Sequence, residues 1–281
     1  MRTAGRNASR RRYGRLCHRA IPLVLLAGCT LTPAPAPLPM QQQLARDQLR
    51  IHSNFELPTK HRLFNELAAR RNDVHELLGL PVSDEPIHVY LFDSPQTYSS
   101  YLRQRFPDFP DRRAFFVETD TRLEVFAYWG DRVAEDLRHE VAHGYLHAVV
   151  PGLPLWLDEG LAEYFEVPRT ADGRHRSHLR RLHQAVDERR WTPNLKRLES
   201  LATPGQMSQQ DYAESWVWVH WLLESSAEHR KLLRRYLARL RVTGTAPPLS
   251  QLVHAQFPDA NARLLKWLAR LSEEQVSPAN E

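Results

Sequence analysis

Two histidines four residues apart, His139 and His143, enclose Glu140 in the run RHEVAHGYLH at 138–147. Four residues is close to one helical turn, so in a helix both imidazoles leave the same face and can share one cation. Glu140, beside the first of them, then stands where a general base toward an activated water belongs. The motif constrains the fold, because two imidazoles leave a zinc site short of its third protein ligand and a second segment must return to that face. His147 cannot supply it, since at 1.5 Å per residue it lies about 12 Å along the axis from His139. It reads as a packed or surface histidine.

The returning segment is PLWLDEGLAEYFE at 154–166. Between His143 and Glu159, Pro151, Gly152 and Pro154 leave room to end one helix, turn and start an antiparallel one. Here the chain resembles the gluzincin zinc metallopeptidases, whose second helix carries a W-L-x-E-G-x-A pattern, matched by Trp156, Leu157, Glu159, Gly160 and Ala162. The resemblance implies one zinc per chain, with Glu159 as the third ligand after His139 and His143. It also implies Glu140 as catalytic base and an acidic residue one turn after the ligand, Glu163, steadying a ligand histidine through its second ring nitrogen. Asp158 is a weaker candidate for that role, because adjacent helical residues diverge by about 100°. The run DYAESWVWVHWL at 211–222 resembles the downstream gluzincin helix whose tyrosine contacts the developing oxyanion. That points to Tyr212, with His220 as second choice and Trp216, Trp218 and Trp221 as packing. A metzincin would place a glycine and a third histidine where this chain has Leu146 and Val149. Aminopeptidase gluzincins carry a G-x-M-E-N pattern that this sequence lacks, so the resemblance favours an endopeptidase or processing peptidase acting on a peptide or protein. A zincin-fold protein without activity, serving as an envelope binding or assembly module, is the alternative.

Charge adds a topological expectation. The formal net charge is +5, but residues 1–28 hold seven arginines and no Asp, Glu or Lys, so without them 31 basic face 33 acidic side chains, a net of −2. The apolar run Ile21–Leu26 is far shorter than the roughly 20 residues that span a bilayer, and it fits a secretory leader. LLAGC, Leu25 to Cys29, resembles the lipobox of bacterial lipoproteins, which implies lipidation at Cys29 and a membrane anchor in the cell envelope. Thr30 after it favours, by the same resemblance, the outer membrane of a Gram-negative cell. Prolines at 33, 35, 37 and 39 make 29–40 an extended tether. With its basic charge confined to the leader, the mature chain has no electrostatic reason to seek nucleic acid. Cys17 and Cys29 are the chain's two cysteines, so a mature form starting at Cys29 contains no cysteine pair.

The remaining 41–281 read as one zincin-like α+β domain, a small mixed sheet over about 41–130 followed by a mostly helical part over about 131–281. Hydrophobic periodicity predicts a helix-like segment at 41–48, strands at 49–55, 86–92, 113–119 and 122–129, and helices at 60–78 and 94–106. Further helices are expected at 133–149, 154–166, 175–189, 209–225, 227–241 and 258–274. An extended substrate is expected to lie beside an edge strand in the 113–129 region.

Overall fold

The computed structural model describes residues 37–276. The leader and the lipidation of Cys29 lie outside them. Five strands form one sheet: β1 (Gln42–Arg46), β2 (Leu49–Ser53), β3 (Ile87–Phe92), β4 (Ala114–Thr119) and β5 (Arg122–Tyr128), in the order β1-β2-β3-β5-β4. The two outer pairs are antiparallel and the two inner pairs parallel. Helix α1 (Arg62–Leu78) connects β2 to β3, and α2 (Pro95–Arg105) leads from β3 toward β4. After β5 the described chain is helical: α3 (Val133–His147), α4 (Leu155–Glu166), α5 (Arg176–Asp187), α6 (Leu195–Leu198), α7 (Gln209–Glu224), α8 (Ala227–Thr243), α9 (Leu249–Gln256) and α10 (Ala260–Val276). The architecture is α+β, with sheet first and helices afterwards. Among the described residues no helix is long and apolar enough to cross a membrane.

Residues 41–48 do not form the helix-like segment expected of them. Gln42–Arg46 pair antiparallel with Leu49–Ser53 across a two-residue turn in which Asp47 takes φ 47°. Aspartate tolerates that left-handed conformation, and the ladder bonds of the hairpin outweigh local helix propensity.

Alternation along the inner strands sorts side chains to two faces. Val89 and Leu91 of β3, with Val125 and Ala127 of β5, enter the main core beneath α1 and α3. Tyr90, Phe92 and Phe126 face the other way, into an aromatic cluster closed by Tyr98, Tyr101 and Leu102 of α2. Helix α3 lies close on the sheet, where a side chain on Gly144 would meet Ile87 at 3.0 Å. Strand β4 forms the edge nearest α3, with the Phe116 ring stacked 5.8 Å from that of His143.

Gly160 is small for a reason other than the approach of α4 to α3. A Cβ there would lie 2.7 Å from the Ser215 carbonyl oxygen and 2.9 Å from Val219 Cγ2, so the close approach is between α4 and α7. The obstructing atom is backbone, which cannot swing aside. Gly160→Ala is expected to destabilise the fold by about 1–3 kcal/mol, read as a lower denaturation midpoint at unchanged slope. An unchanged midpoint would contradict the packing described.

Candidate metal centre

Glu135 and Asp136 in the first turn of α3 suit the positive end of its dipole. Arg113, just before the edge strand, grips Asp136 through Nε and Nη2 at 2.6–3.0 Å. The start of α3 and the entry to β4 are thereby fixed together. At the other end, Gly152 adopts φ 68° in the turn that leads into α4. Trp156 and Leu157 are fully buried, anchoring the helix that carries Glu159.

His139, His143 and Glu159 converge. The Nε2 atoms of the two histidines are 3.2 Å apart, and Glu159 Oε2 lies 3.5 Å from the first and 3.8 Å from the second. Metal–ligand bonds of about 2.0–2.1 Å in a tetrahedral site give ligand spacings of roughly 3.4 Å, so the triangle has the right size. The opposite ring nitrogens are both engaged: His139 Nδ1 with Glu166 Oε2 at 3.0 Å and His143 Nδ1 with Asp158 Oδ1 at 2.9 Å. Carboxylates accept, so both Nδ1 atoms donate, and in the neutral rings the Nε2 atoms are left with lone pairs. When both rings are neutral, two Nε2 lone pairs and a Glu159 carboxylate oxygen therefore face one another. Glu159 Oε2 is buried and has no hydrogen-bond partner. The trio is one that could hold a metal ion, and its donor set and spacing fit a zinc-type cation.

Electrostatics point the same way. Burial opposes protonation of His139, but Glu159 and Glu166 outweigh it and raise its pKa well above the usual imidazole value. The same opposition, with Asp158 winning, raises His143. Burial would raise the Asp158 and Glu166 carboxyls, yet the histidines they contact hold both well below the ordinary carboxylate range. The site therefore favours positive charge at its centre.

The far ring nitrogens of His139 and His143 meet carboxylates other than the one expected. Glu163 does not contact a ligand ring nitrogen at hydrogen-bond distance; its Oε2 meets His178 Nε2 at 2.8 Å. Glu166, seven residues after Glu159 and so back on nearly the same helical face, takes His139. Asp158 takes His143, and its other oxygen meets His147 Nε2 at 3.0 Å. His147 is accordingly a partner of Asp158, with its pKa raised to about 9 because Asp158 and Glu118 outweigh burial.

Tyr212 opens on the same cleft, of about 400 Å³, lined also by Arg112, Ala114, His139, Glu159 and Glu163. A capping box between Ser208 and Asp211 fixes the first turn of α7 that carries it. Arg112 Nη2 donates to its hydroxyl at 3.3 Å. Nothing periodic in the loop before β4 marks Arg112, which sequence reasoning missed. His220 is not part of the cleft; its Nδ1 accepts from Trp267 Nε1 at 3.2 Å, and burial lowers its pKa to about 4. Trp216, Trp218 and Trp221 are fully buried packing residues. Glu140 sits within electrostatic reach of His139, His143, Glu159 and Arg112, and burial raises its carboxyl pKa.

A family profile described as "Protein of unknown function (DUF1570)" matches residues 133–249, from the start of α3 to the start of α9. The match takes in both helices that carry the candidate ligands. No curated protein matches the chain.

Proposed function

We propose that this chain is a zinc-dependent peptidase of the gluzincin type, anchored in a bacterial cell envelope through a lipid on Cys29. The observation that carries the reading is the trio His139 Nε2, His143 Nε2 and Glu159 Oε2. The three atoms converge on a common point, while Asp158 and Glu166 hold the far sides of the imidazoles. That arrangement orients ligands for a metal and leaves a hydrogen-bonding role unfilled.

Zinc bound there would polarise the scissile carbonyl and acidify a water. Glu140, beside His139 in the sequence, would take a proton from the attacking water as its oxygen bonds to the carbonyl carbon, and would deliver it to the amine nitrogen as the C–N bond breaks. The Tyr212 hydroxyl, held by Arg112, lies across the cleft and donates to the carbonyl oxygen as negative charge develops on it. A peptide laid along β4 as an added strand brings its backbone past α3. The net of −2 without the leader and the tether of alternating prolines suit a domain held off a membrane and acting on envelope peptides or proteins.

The test is to incubate the purified, zinc-loaded chain with a mixture of unstructured peptides and sequence the products. New termini inside the peptides, suppressed by a zinc chelator, are the expected result. Intact peptides from a chain shown to hold zinc at His139 and His143 would count against peptide hydrolysis and for a binding role.

A further inference from the structure

We propose a second metal site, separate from the first, in which Glu163, His175 and His178 hold a divalent cation of the zinc type. His178 Nε2 lies 2.8 Å from Glu163 Oε2, and His175 Nε2 lies 3.4 Å from that same oxygen and 3.1 Å from Glu166 Oε1. These separations approach the roughly 3.4 Å edge of a tetrahedron built on bonds of about 2.0–2.2 Å. The two imidazoles stack with centroids 3.9 Å apart and planes 23° from parallel, and their Nε2 atoms address the Glu163 carboxylate side by side. Glu163 is 8% exposed and His178 5%.

The cluster is built rather than incidental. Glu163 and Glu166 come from the last turn of α4, while His175 caps α5 and His178 sits in its first turn. The turn between the helices is pinned by Trp216, whose Nε1 donates to the Gly173 carbonyl at 2.8 Å. Gly173 itself has φ 72°, and a Cβ there would run into the Tyr164 ring at 2.0 Å. The chain is thus forced through one conformation that delivers His175 to α4.

Charge explains what the cation would do. A dication held by Glu163 and the two imidazoles neutralises the buried Glu163 carboxylate. Binding displaces the proton from His175 Nε2. The ring then carries its proton on Nδ1, with Ser177 Oγ at 2.9 Å to accept it, in place of the long 3.4 Å cap bond from the His178 amide. The cluster also adjoins the first site, since Glu166 meets His175 through Oε1 and accepts from His139 through Oε2.

Elemental analysis of the full-length chain, loaded with zinc and freed of excess by gel filtration, tests the proposal. About two zinc per chain are expected, falling to about one in His178→Ala and in Glu163→Gln, and to about one in His139→Ala. Glu163→Gln conserves volume and covers the case in which His178→Ala fails to fold, as judged by circular dichroism. One zinc per chain that survives both His178→Ala and Glu163→Gln overturns the second site. One zinc lost in those variants but kept in His139→Ala supports it and overturns the first site instead, so the two readings fail separately.

Discussion

Replacing Glu140 with glutamine is expected to lower turnover by about 10²–10⁴-fold while bound zinc stays at its unaltered level. Glutamine preserves size and hydrogen bonding but cannot take a proton. Glu140 is not one of the three converging ligands, so metal retention is part of the expectation. The pH profile sharpens it. Burial raises the Glu140 carboxyl, and a base works only when ionised, so the rate should fall as pH drops through that raised value. The acid limb should therefore begin above the range of an exposed glutamate and vanish in the variant. Should the glutamine variant cleave peptides at the normal rate, Glu140 is not the base; should it lose zinc, its role is structural.

Metal removal is expected to abolish hydrolysis and to cost the fold several kcal/mol. Without a cation the buried Glu159 carboxylate can be countered only by protonating His139 and His143, which the burial of both rings opposes. Free zinc at about 1,000 times its Kd stabilises a folded protein by about 4 kcal/mol. For a domain of this size that corresponds to a fall in Tm of roughly 8–16 °C on chelation, restored by adding zinc back. Equal melting with and without chelator would show that the trio holds no metal.

Much of this centre was legible before any coordinates, and the exceptions are instructive. His139, His143 and Glu159 follow from helical spacing and from the W-L-x-E-G-x-A resemblance, and the fold brings them within 3.8 Å of one another. Reading α4 as an isolated wheel failed for Asp158. Its divergence from Glu159 counted against it, but an imidazole also has two divergent nitrogens. Adjacent residues pointing apart reach both sides of His143: Glu159 toward Nε2 and Asp158 toward Nδ1. Glu166 obeys the same periodicity that suggested Glu163, two turns rather than one after the ligand. His175 and His178 carry a spacing of three that could have flagged a shared face. Arg112 carries no signal, because a loop residue acquires its neighbours only when the chain folds and the first turn of α7 brings Tyr212 to it. The β1 hairpin was missed for a related reason, as local propensity does not register the ladder bonds of a partner strand.

Zinc-edge anomalous diffraction from crystals of the zinc-loaded chain tests the central claim most directly. An anomalous peak is expected about 2.0–2.2 Å from His139 Nε2, His143 Nε2 and a Glu159 carboxylate oxygen. Zinc-loaded crystals with no peak among those three atoms would contradict it.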